Sequence, residues 1–188
     1  MMRSLTILLA CLGTVALARA EIFGMQVERA VTEEEMKGSL REIDLVDEQG
    51  DPLDLRALMS NGKPTLVSLW AHWCPNCVAE APGYQALAKA CPQRWNVVFV
   101  SAIAKDFPKD LAKFKRYGLP WRFYRVGDSG KTDVVKAKAA RAFYGATKEG
   151  GVVTPMHYLL NRSGAVEAIV AGRMDFTEPK RLAAFCGS

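Results

Sequence analysis

The sequence predicts an α/β fold in which a central mixed β-sheet is flanked by helices, and three patterns support this. In the first part of the chain, buried-strand patterns alternate with helical patterns, which indicates parallel strands joined by helices. Near the C-terminus, two strand patterns flank the turn sequence 161–164, which adds an antiparallel hairpin to the sheet. The length of 188 residues suits one domain with a hydrophobic core of its own.

Residues 1–20 are predicted to be a cleaved signal peptide. Arg3 supplies a positive charge, the segment 5–18 is apolar, and small residues surround Arg19 just before the expected cut at Glu21. The apolar segment is shorter than the roughly 20 residues that a membrane-spanning helix needs. We therefore expect export without stable membrane insertion after cleavage. An uncleaved anchor and a lipid attached to Cys11 are the alternatives.

The next segment, 21–39, is predicted to be an N-terminal extension, and 40–188 the main domain. Within the extension, Thr32 and Glu35 have the spacing of a helix capping box. The main domain opens with a hairpin pattern: apolar residues alternate with acids from Ile43, a turn follows at 49–52, and the alternation resumes from Leu53 to Leu55.

The remaining elements are predicted from apolar periodicity and from turn residues. The run TLVSLW at 65–70 is mostly apolar with β-branched members, which is typical of a buried strand. The other predicted elements are a helix at 75–90, a strand at 97–103, a helix at 106–117 closed by Gly118, a short strand at 121–126, a helix at 133–144, a loop at 148–153, strands at 156–160 and 166–171, and a terminal helix at 178–186.

Composition and charge exclude some classes of partner. Hydrophobic residues make up 49% of the chain and charged residues 24%, as in an ordinary globular protein. The net charge of +5 is diffuse. The most basic stretch, 131–141, has alanines between its charges and is typical of a solvated helix face, so we expect no nucleic-acid partner.

The motif Trp73-Cys74-Pro75-Asn76-Cys77 carries the chemistry that the sequence predicts. It follows a buried strand and opens a helix, where free N–H groups and the helix dipole stabilise a thiolate and lower its pKa. Two intervening residues let one helical turn bring the two sulfurs into bonding distance. We therefore expect Cys74 to be an exposed nucleophile and Cys77 to resolve the mixed disulfide.

A zinc half-site and a purely structural disulfide are the other interpretations of this motif. A zinc half-site would require a second Cys or His pair at ligand spacing, and the sequence has none. A purely structural disulfide is disfavoured because the pair lies between a strand and a helix.

The segment 65–82, TLVSLWAHWCPNCVAEAP, resembles the active-site segment of TlpA/ResA-like periplasmic thioredoxin-fold oxidoreductases. The matching residues are Trp70, Ala71, Trp73, Cys74, Cys77, Glu80 and Pro82. A second block, 154–164, resembles the cis-proline loop, the strand and the turn of that family. The resemblance extends over about residues 40–186 in element order, and it implies a thioredoxin-like fold.

The resemblance also implies roles for particular residues. The Thr154–Pro155 bond would be cis, Thr154 would pair with an extended substrate segment, and Trp73 would flank the substrate groove. Thioredoxins carry a buried acid six residues before the first cysteine, where this chain has Ser68. Glu80 is the candidate for that role, and a surface acid is the alternative reading of it.

Cys91 and Cys186 end two helices that pack on the same face of the sheet in the resembled fold. We expect them to form a structural disulfide; two buried free thiols are the alternative.

His72 and His157 both lie near the predicted site. Either could join the active-site cysteines in holding Cu(I), or His72 could shift the pKa of Cys74 through its charge.

The predicted function is that of a periplasmic thiol–disulfide oxidoreductase. The resemblance implies protein substrates with disulfides, such as apocytochrome c or copper-site assembly factors, and a membrane thiol donor of electrons. We expect a monomer, no cofactor and no bound metal. The alternatives are a copper-binding assembly factor of a respiratory oxidase and an oxidant that forms disulfides, since the sequence does not reveal the redox potential.

Overall fold

The computed structural model describes residues 21–22, 25–26, 44–127 and 154–187. Several predictions lie outside these residues: the signal peptide at 1–20, the capping box at Thr32, the helix at 133–144 and the loop at 148–153. Domain boundaries therefore stay predictions.

From residue 44 onwards, the described strands follow the predicted order. The strands are β1 Glu21–Ile22, β2 Met25–Gln26, β3 Leu45–Val46, β4 Pro52–Leu53, β5 Thr65–Trp70, β6 Asn96–Ser101, β7 Phe123–Val126, β8 Met156–Leu160 and β9 Val166–Ala171. The helices are α1 Leu55–Met59, α2 Pro75–Ala79, α3 Ala81–Ala90, α4 Phe107–Lys115 and α5 Pro179–Gly187, with a 3₁₀ turn at Ala104–Asp106. Among these described helices, none has the length and apolarity needed to cross a membrane.

Seven of the strands form one mixed sheet in the order β4-β3-β7-β6-β5-β8-β9. Strands β5, β6 and β7 are parallel to one another. The hairpin β8–β9 lies antiparallel beside β5, and the hairpin β3–β4 lies antiparallel beside β7. Strands β1 and β2 pair separately with each other. Strand β5 therefore lies inside the sheet, between β6 and β8, and its C-terminal end leads into the cysteine motif.

Side chains of β5 alternate between two apolar cores, one on each face of the sheet. Leu66 and Trp70 point to the larger core, which contains residues from α3, α4 and α5. Val67 and Leu69 point to the smaller core, which α1 covers. All six residues of β5 are buried because both faces are covered, which is why this strand reads as a continuous run rather than as an alternating pattern.

The predicted hairpin at the start of the domain is shorter than expected, and its second half is partly wrong. Strand β4 ends at Leu53, and Leu55 begins helix α1 instead of continuing a strand. Asp54 explains the change, since its side chain caps the helix by accepting the backbone N–H of Ala57 at 2.8 Å. Leu55 and Met59 are one turn apart and both buried, so a helical spacing of apolar residues was read as an alternating one.

The single helix predicted at 75–90 is divided at Glu80. Helix α2 ends at Ala79 and α3 begins at Ala81, although the N–H of Glu80 still donates to the carbonyl of Asn76 and the N–H of Tyr84 to the carbonyl of Glu80. Pro82 accounts for the division, because proline has no N–H to donate to the preceding turn.

The C-terminal helix α5 is fastened to the end of α3. Cys91 and Cys186 form a disulfide, as the resembled fold implied. Beside it, the rings of Trp95 and Phe185 stack with centroids 3.9 Å apart, and the Trp95 indole N–H donates to the carbonyl of Phe185 at 2.9 Å. Gly83 allows the backbone at Phe176 to approach α3, since a Cβ at position 83 would lie 3.1 Å from the Phe176 nitrogen.

Replacing both Cys91 and Cys186 by alanine is expected to lower the free energy of unfolding by at most about 4–5 kcal/mol, because the bond closes a long loop in the unfolded chain. Urea denaturation of the oxidised double variant and the oxidised parent measures the difference. Non-reducing peptide mapping of the parent provides the control. Free thiols at both positions in the parent would contradict the pairing.

Candidate active site

The cysteine motif begins with a tight turn that links β5 to α2. The N–H of Cys74 donates to the carbonyl of Ala71 at 3.2 Å, which closes a turn with His72 and Trp73 at its centre. Trp73 is 46% exposed and is a large hydrophobic residue on the surface. Cys74 then occupies the N-cap of α2, and Pro75 takes the first helical position, where a missing N–H costs nothing.

Cys74 and Cys77 are joined as a disulfide. The sulfur of Cys74 also accepts the backbone N–H of Cys77 at 3.2 Å, so it satisfies one of the free donors of the first helical turn. The expectation that Cys74 is exposed is wrong for this oxidised state, in which it is 3% exposed and Cys77 is fully buried. The N-cap position explains this, because it turns the Cys74 sulfur back over the helix and towards Cys77.

Trp70, the last residue of β5, fixes the helix to the sheet. Its indole N–H donates to the carbonyl of Cys77 at 2.9 Å, and its ring packs edge-on against Phe114, Tyr117 and Phe123. The hydrogen bond joins the end of the strand to the second cysteine, so the motif has one defined position over the sheet.

Glu80 is buried rather than on the surface, with 1% of its area exposed. Its Oε1 accepts the N–H of Met174 at 2.5 Å and lies 2.9 Å from Nε2 of His157, which is fully buried. Nε2 also lies 3.1 Å from the carbonyl of Gly172. Both neighbours are acceptors when the carboxylate is ionised, so Nε2 carries the ring hydrogen. The other carboxylate oxygen, Oε2, is buried and has no hydrogen-bond partner among the described residues.

The network continues from His157 into the sheet. The hydroxyl of Tyr84 lies 3.3 Å from Nδ1 of His157 and 3.4 Å from the hydroxyl of Ser68. Ser68 and His157 are cross-strand neighbours on β5 and β8. Burial, reinforced by the negative charge of Glu80, raises the pKa of Tyr84 well above its usual range. Tyr84 is therefore a neutral hydroxyl that bridges the serine and the histidine.

Residues Thr154 and Pro155 lie at the same end of the sheet as the cysteine motif. Their peptide bond is cis. Because Met156 pairs with Leu69 in an antiparallel register, Pro155 and Thr154 extend β8 towards the turn at the end of β5. Pro155 is buried and Thr154 partly exposed. The carbonyl of Pro155 accepts the N–H of Gly172, which ties this loop to the end of β9.

A second acid–histidine pair lies on the other side of the turn. Oδ1 of Asp110 accepts the backbone N–H of His72 at 2.7 Å and lies 2.6 Å from Nδ1 of its ring. Oδ2 of Asp110 accepts the hydroxyl of Ser101 at 2.6 Å. Asp110 is fully buried, whereas 29% of the His72 side chain is exposed.

Sequence reasoning missed Asp110 and underestimated His157. Asp110 stands among charged residues of an amphipathic helix, where an acid is normally solvated, so the sequence held no local signal for its burial. His157 interrupts an otherwise apolar strand, and that signal was present. Among the described residues, no group of three or more His, Cys, Asp and Glu side chains is placed to hold a metal ion.

Comparison with known proteins places this arrangement among thioredoxin-fold proteins. Residues 36–169, more than half of the chain, match the family model described as AhpC/TSA family. This match and the structural similarities below confirm the predicted fold class, a mixed sheet flanked by helices.

Two solved structures and one curated relative illustrate the similarity. A thioredoxin family thiol:disulfide interchange protein from Chlorobium tepidum TLS aligns with a TM-score of 0.57 at 20% identity, over 77% of this chain and 92% of that one. A secreted Mycobacterium tuberculosis disulfide oxidoreductase homologous to E. coli DsbE aligns with a TM-score of 0.55 at 24% identity, over 81% of this chain and 99% of that one. The soluble secreted antigen MPT53 of Mycobacterium tuberculosis is 34% identical over 111 residues, which cover 48% of this chain and 62% of the relative. The matches span between 19% and 62% of the length of the curated relatives.

Replacing His157 by leucine is expected to lower the free energy of unfolding by about 3–5 kcal/mol, because the buried carboxylate of Glu80 then keeps only the N–H of Met174 and loses its side-chain partner. The double variant with Glu80→Gln should recover part of this loss, since the buried charge is then gone. Urea denaturation at neutral pH measures these two variants and the Glu80→Gln single variant. A single variant as stable as the parent, or a double variant with the summed loss of the two single changes, would show that the two groups are not coupled.

Proposed function

Because this chain belongs to the AhpC/TSA family, and because its cysteine motif caps a helix at the end of strand β5, we propose that it is an exported thiol–disulfide oxidoreductase that acts through Cys74 and Cys77. The residues proposed as catalytic are these two cysteines and Glu80. Cys91 and Cys186 are assigned a structural role, remote from the exchange.

The observation that carries the proposal is the hydrogen bond from the Cys77 N–H to the Cys74 sulfur. A backbone donor that is already aimed at the sulfur needs no rearrangement to stabilise negative charge there when the disulfide is reduced. This favours a thiolate at Cys74 over one at Cys77, whose sulfur is fully buried beneath the helix.

The first step is attack by the Cys74 thiolate on a substrate disulfide. A bond forms between the Cys74 sulfur and one substrate sulfur, the substrate S–S bond breaks, and the second substrate sulfur leaves with the electron pair and takes up a proton. The product is a mixed disulfide between Cys74 and the substrate.

The second step requires Cys77 to lose its proton in a buried site. Cys77 and Glu80 are three residues apart in consecutive helical turns, where side chains are neighbours. Oε2 of Glu80 has no partner among the described residues and is the acceptor proposed for this proton. The Cys77 thiolate then attacks the Cys74 sulfur, and the bond between Cys74 and the substrate breaks. That substrate sulfur leaves with the electron pair and takes up a proton, so two electrons have passed to the substrate.

The proposed substrate groove lies between the exposed ring of Trp73 and the loop at Thr154 and Pro155. Thr154 would pair its backbone with an extended segment that carries the substrate disulfide. A protein substrate suits this arrangement, because backbone pairing recognises an extended chain whatever its side chains.

We further propose that the protein is a monomeric periplasmic reductant with few substrates, such as apocytochrome c or copper-site assembly factors, and that a membrane thiol protein supplies its electrons. The secreted oxidoreductase from Mycobacterium tuberculosis and the relative MPT53 support an exported location. A disulfide-forming oxidant and a copper-binding assembly factor remain the alternatives, and no contact among the described residues favours either of them.

The variant Cys77→Ser is expected to stop after the first step and to hold its substrate on Cys74. The probe is an oxidised peptide with a Cys-x-x-Cys-His sequence, which imitates a haem-attachment site. Intact mass analysis should show a one-to-one mixed disulfide that a dithiol reductant releases. Cys74→Ser is the matched control and should form no adduct. Equal adducts on the two variants would contradict the assigned roles.

A reductant is expected to have a potential for the Cys74–Cys77 pair nearer to about −270 mV than to −120 mV, the span known for this chemistry. Equilibration with glutathione or dithiol buffers, followed by thiol alkylation, measures it. The Cys91→Ala/Cys186→Ala variant serves as the control, because any remaining transition then belongs to the active pair. A value near −120 mV would instead favour the disulfide-forming oxidant.

A further inference from the structure

The His72–Asp110 pair has no part in the exchange steps proposed above, yet it is attached to the turn that presents Cys74. One oxygen of Asp110 accepts both the backbone N–H and the ring nitrogen of His72, at 2.7 and 2.6 Å. The carboxylate is itself held by the hydroxyl of Ser101. Strand β6, helix α4 and the turn therefore meet at one fully buried acid.

These contacts decide which ring nitrogen of His72 faces outwards. Nδ1 lies against an oxygen that already accepts a backbone N–H, so Nδ1 carries the hydrogen and donates it. Nε2 lies on the far edge of the ring. The His72 side chain stays 29% exposed while its Nδ1 side is against a buried acid, so Nε2 is the ring nitrogen left to contact a bound substrate.

His72 and Cys74 are two residues apart in the chain. Two residues of extended chain span at most about 7 Å, so the backbone of His72 lies within that distance of the backbone of Cys74. The intervening residue, Trp73, is exposed, and the His72 side chain is itself partly exposed. Imidazole is also the side chain that gains and loses a proton near neutral pH.

We propose that His72 is the proton donor to the sulfur that leaves the substrate, and that Asp110 is the positioning residue that holds its ring. As the Cys74 thiolate bonds to one substrate sulfur, the other substrate sulfur leaves with the electron pair, and Nε2–H of the imidazolium gives it a proton. The products are the mixed disulfide, a substrate thiol and a neutral imidazole, which regains a proton from water. This inference rests on the proposed function.

Other charged groups lie on the same elements as Asp110 and supply the control. Asp106 and Lys113 lie one turn to either side of Asp110 on helix α4 and the 3₁₀ turn before it, and both are partly buried. Lys105 and Lys109 on the same elements are exposed. Lys109→Gln removes a nearby positive charge without touching the ring, so it separates proton donation from a general electrostatic effect.

The test compares two uncharged probes that differ in their leaving sulfur. Bis(hydroxyethyl) disulfide releases an alkyl thiolate, which needs a proton, whereas dithiodipyridine releases a delocalised thiolate, which does not. Both reactions use the same Cys74 thiolate, so the thiolate fraction cancels in the ratio of their rate constants. Stopped-flow measurement of both rates from about pH 5.5 to 8.5 covers the range in which histidine titrates.

In the parent protein, the ratio of the alkyl rate to the aromatic rate is expected to fall about tenfold as pH rises. This is less than the hundredfold or more usual for positioned proton transfer, because a thiolate leaves more readily than an alkoxide. His72→Gln should show a low ratio that does not change with pH, and Lys109→Gln should behave as the parent. Asp110→Asn should give an intermediate ratio, since the ring is then held less firmly.

Two results would overturn the inference. A parent ratio that is independent of pH shows, without any variant, that no proton donor titrates. A pH-dependent ratio that is the same in His72→Gln assigns the donor to another group. In both cases the parent still reacts with the two probes, so the proposed exchange at Cys74 stands. A parent that reacts with neither probe would overturn the proposed function together with this inference.

Discussion

The chemistry of this protein depends on one constraint, the fixed position of helix α2 on the end of strand β5. The hydrogen bond from the Trp70 indole to the carbonyl of Cys77 and the turn from Ala71 to Cys74 set that position together. Both are short-range contacts that join the end of β5 to the cysteine motif. Because Trp70 is also wedged among core aromatic rings, a shift of the cysteines would require the core to repack, and close packing opposes this. The N–H of Cys77 thus stays directed at the Cys74 sulfur.

The buried polar network beneath the motif keeps the carboxylate of Glu80 hydrogen-bonded. A buried carboxylate is costly unless it is hydrogen-bonded, and Glu80 obtains its partners from two distant parts of the chain, the backbone of Met174 and the ring of His157. The same contacts fasten the segment after β9 to the break between α2 and α3. Stability and chemistry are therefore coupled at Glu80, since the group proposed to accept the Cys77 proton also joins the helix to the C-terminal hairpin.

The parts of the fold that sequence predicted were those with a local signal. The run 65–70 was unmistakable because both faces of β5 are covered, and the hairpin β8–β9 was marked by its turn. Leu55 was assigned to a strand because it lies two residues after Leu53, a spacing that fits a strand. It also lies four residues before Met59, which fits one turn of a helix, and the capping contact of Asp54 favours the helix. The exposure of Cys74 was also misjudged, because sequence fixes its place at a helix start but not the direction of its sulfur.

The candidate site shows the same division between local and non-local information. The cysteines and the proline of the cis bond stand in short motifs that can be recognised along the chain. Asp110, by contrast, is 38 residues from His72, and its burial results from the packing of α4 against β6. The only two histidines of this chain each face a buried acid, on opposite sides of the cysteine motif. Glu80 and His157 are closed from solvent, whereas His72 is partly exposed. Since disulfide exchange must handle one proton in the interior, at Cys77, and one at the surface, on the substrate, this difference in access matches the two places where protons are needed.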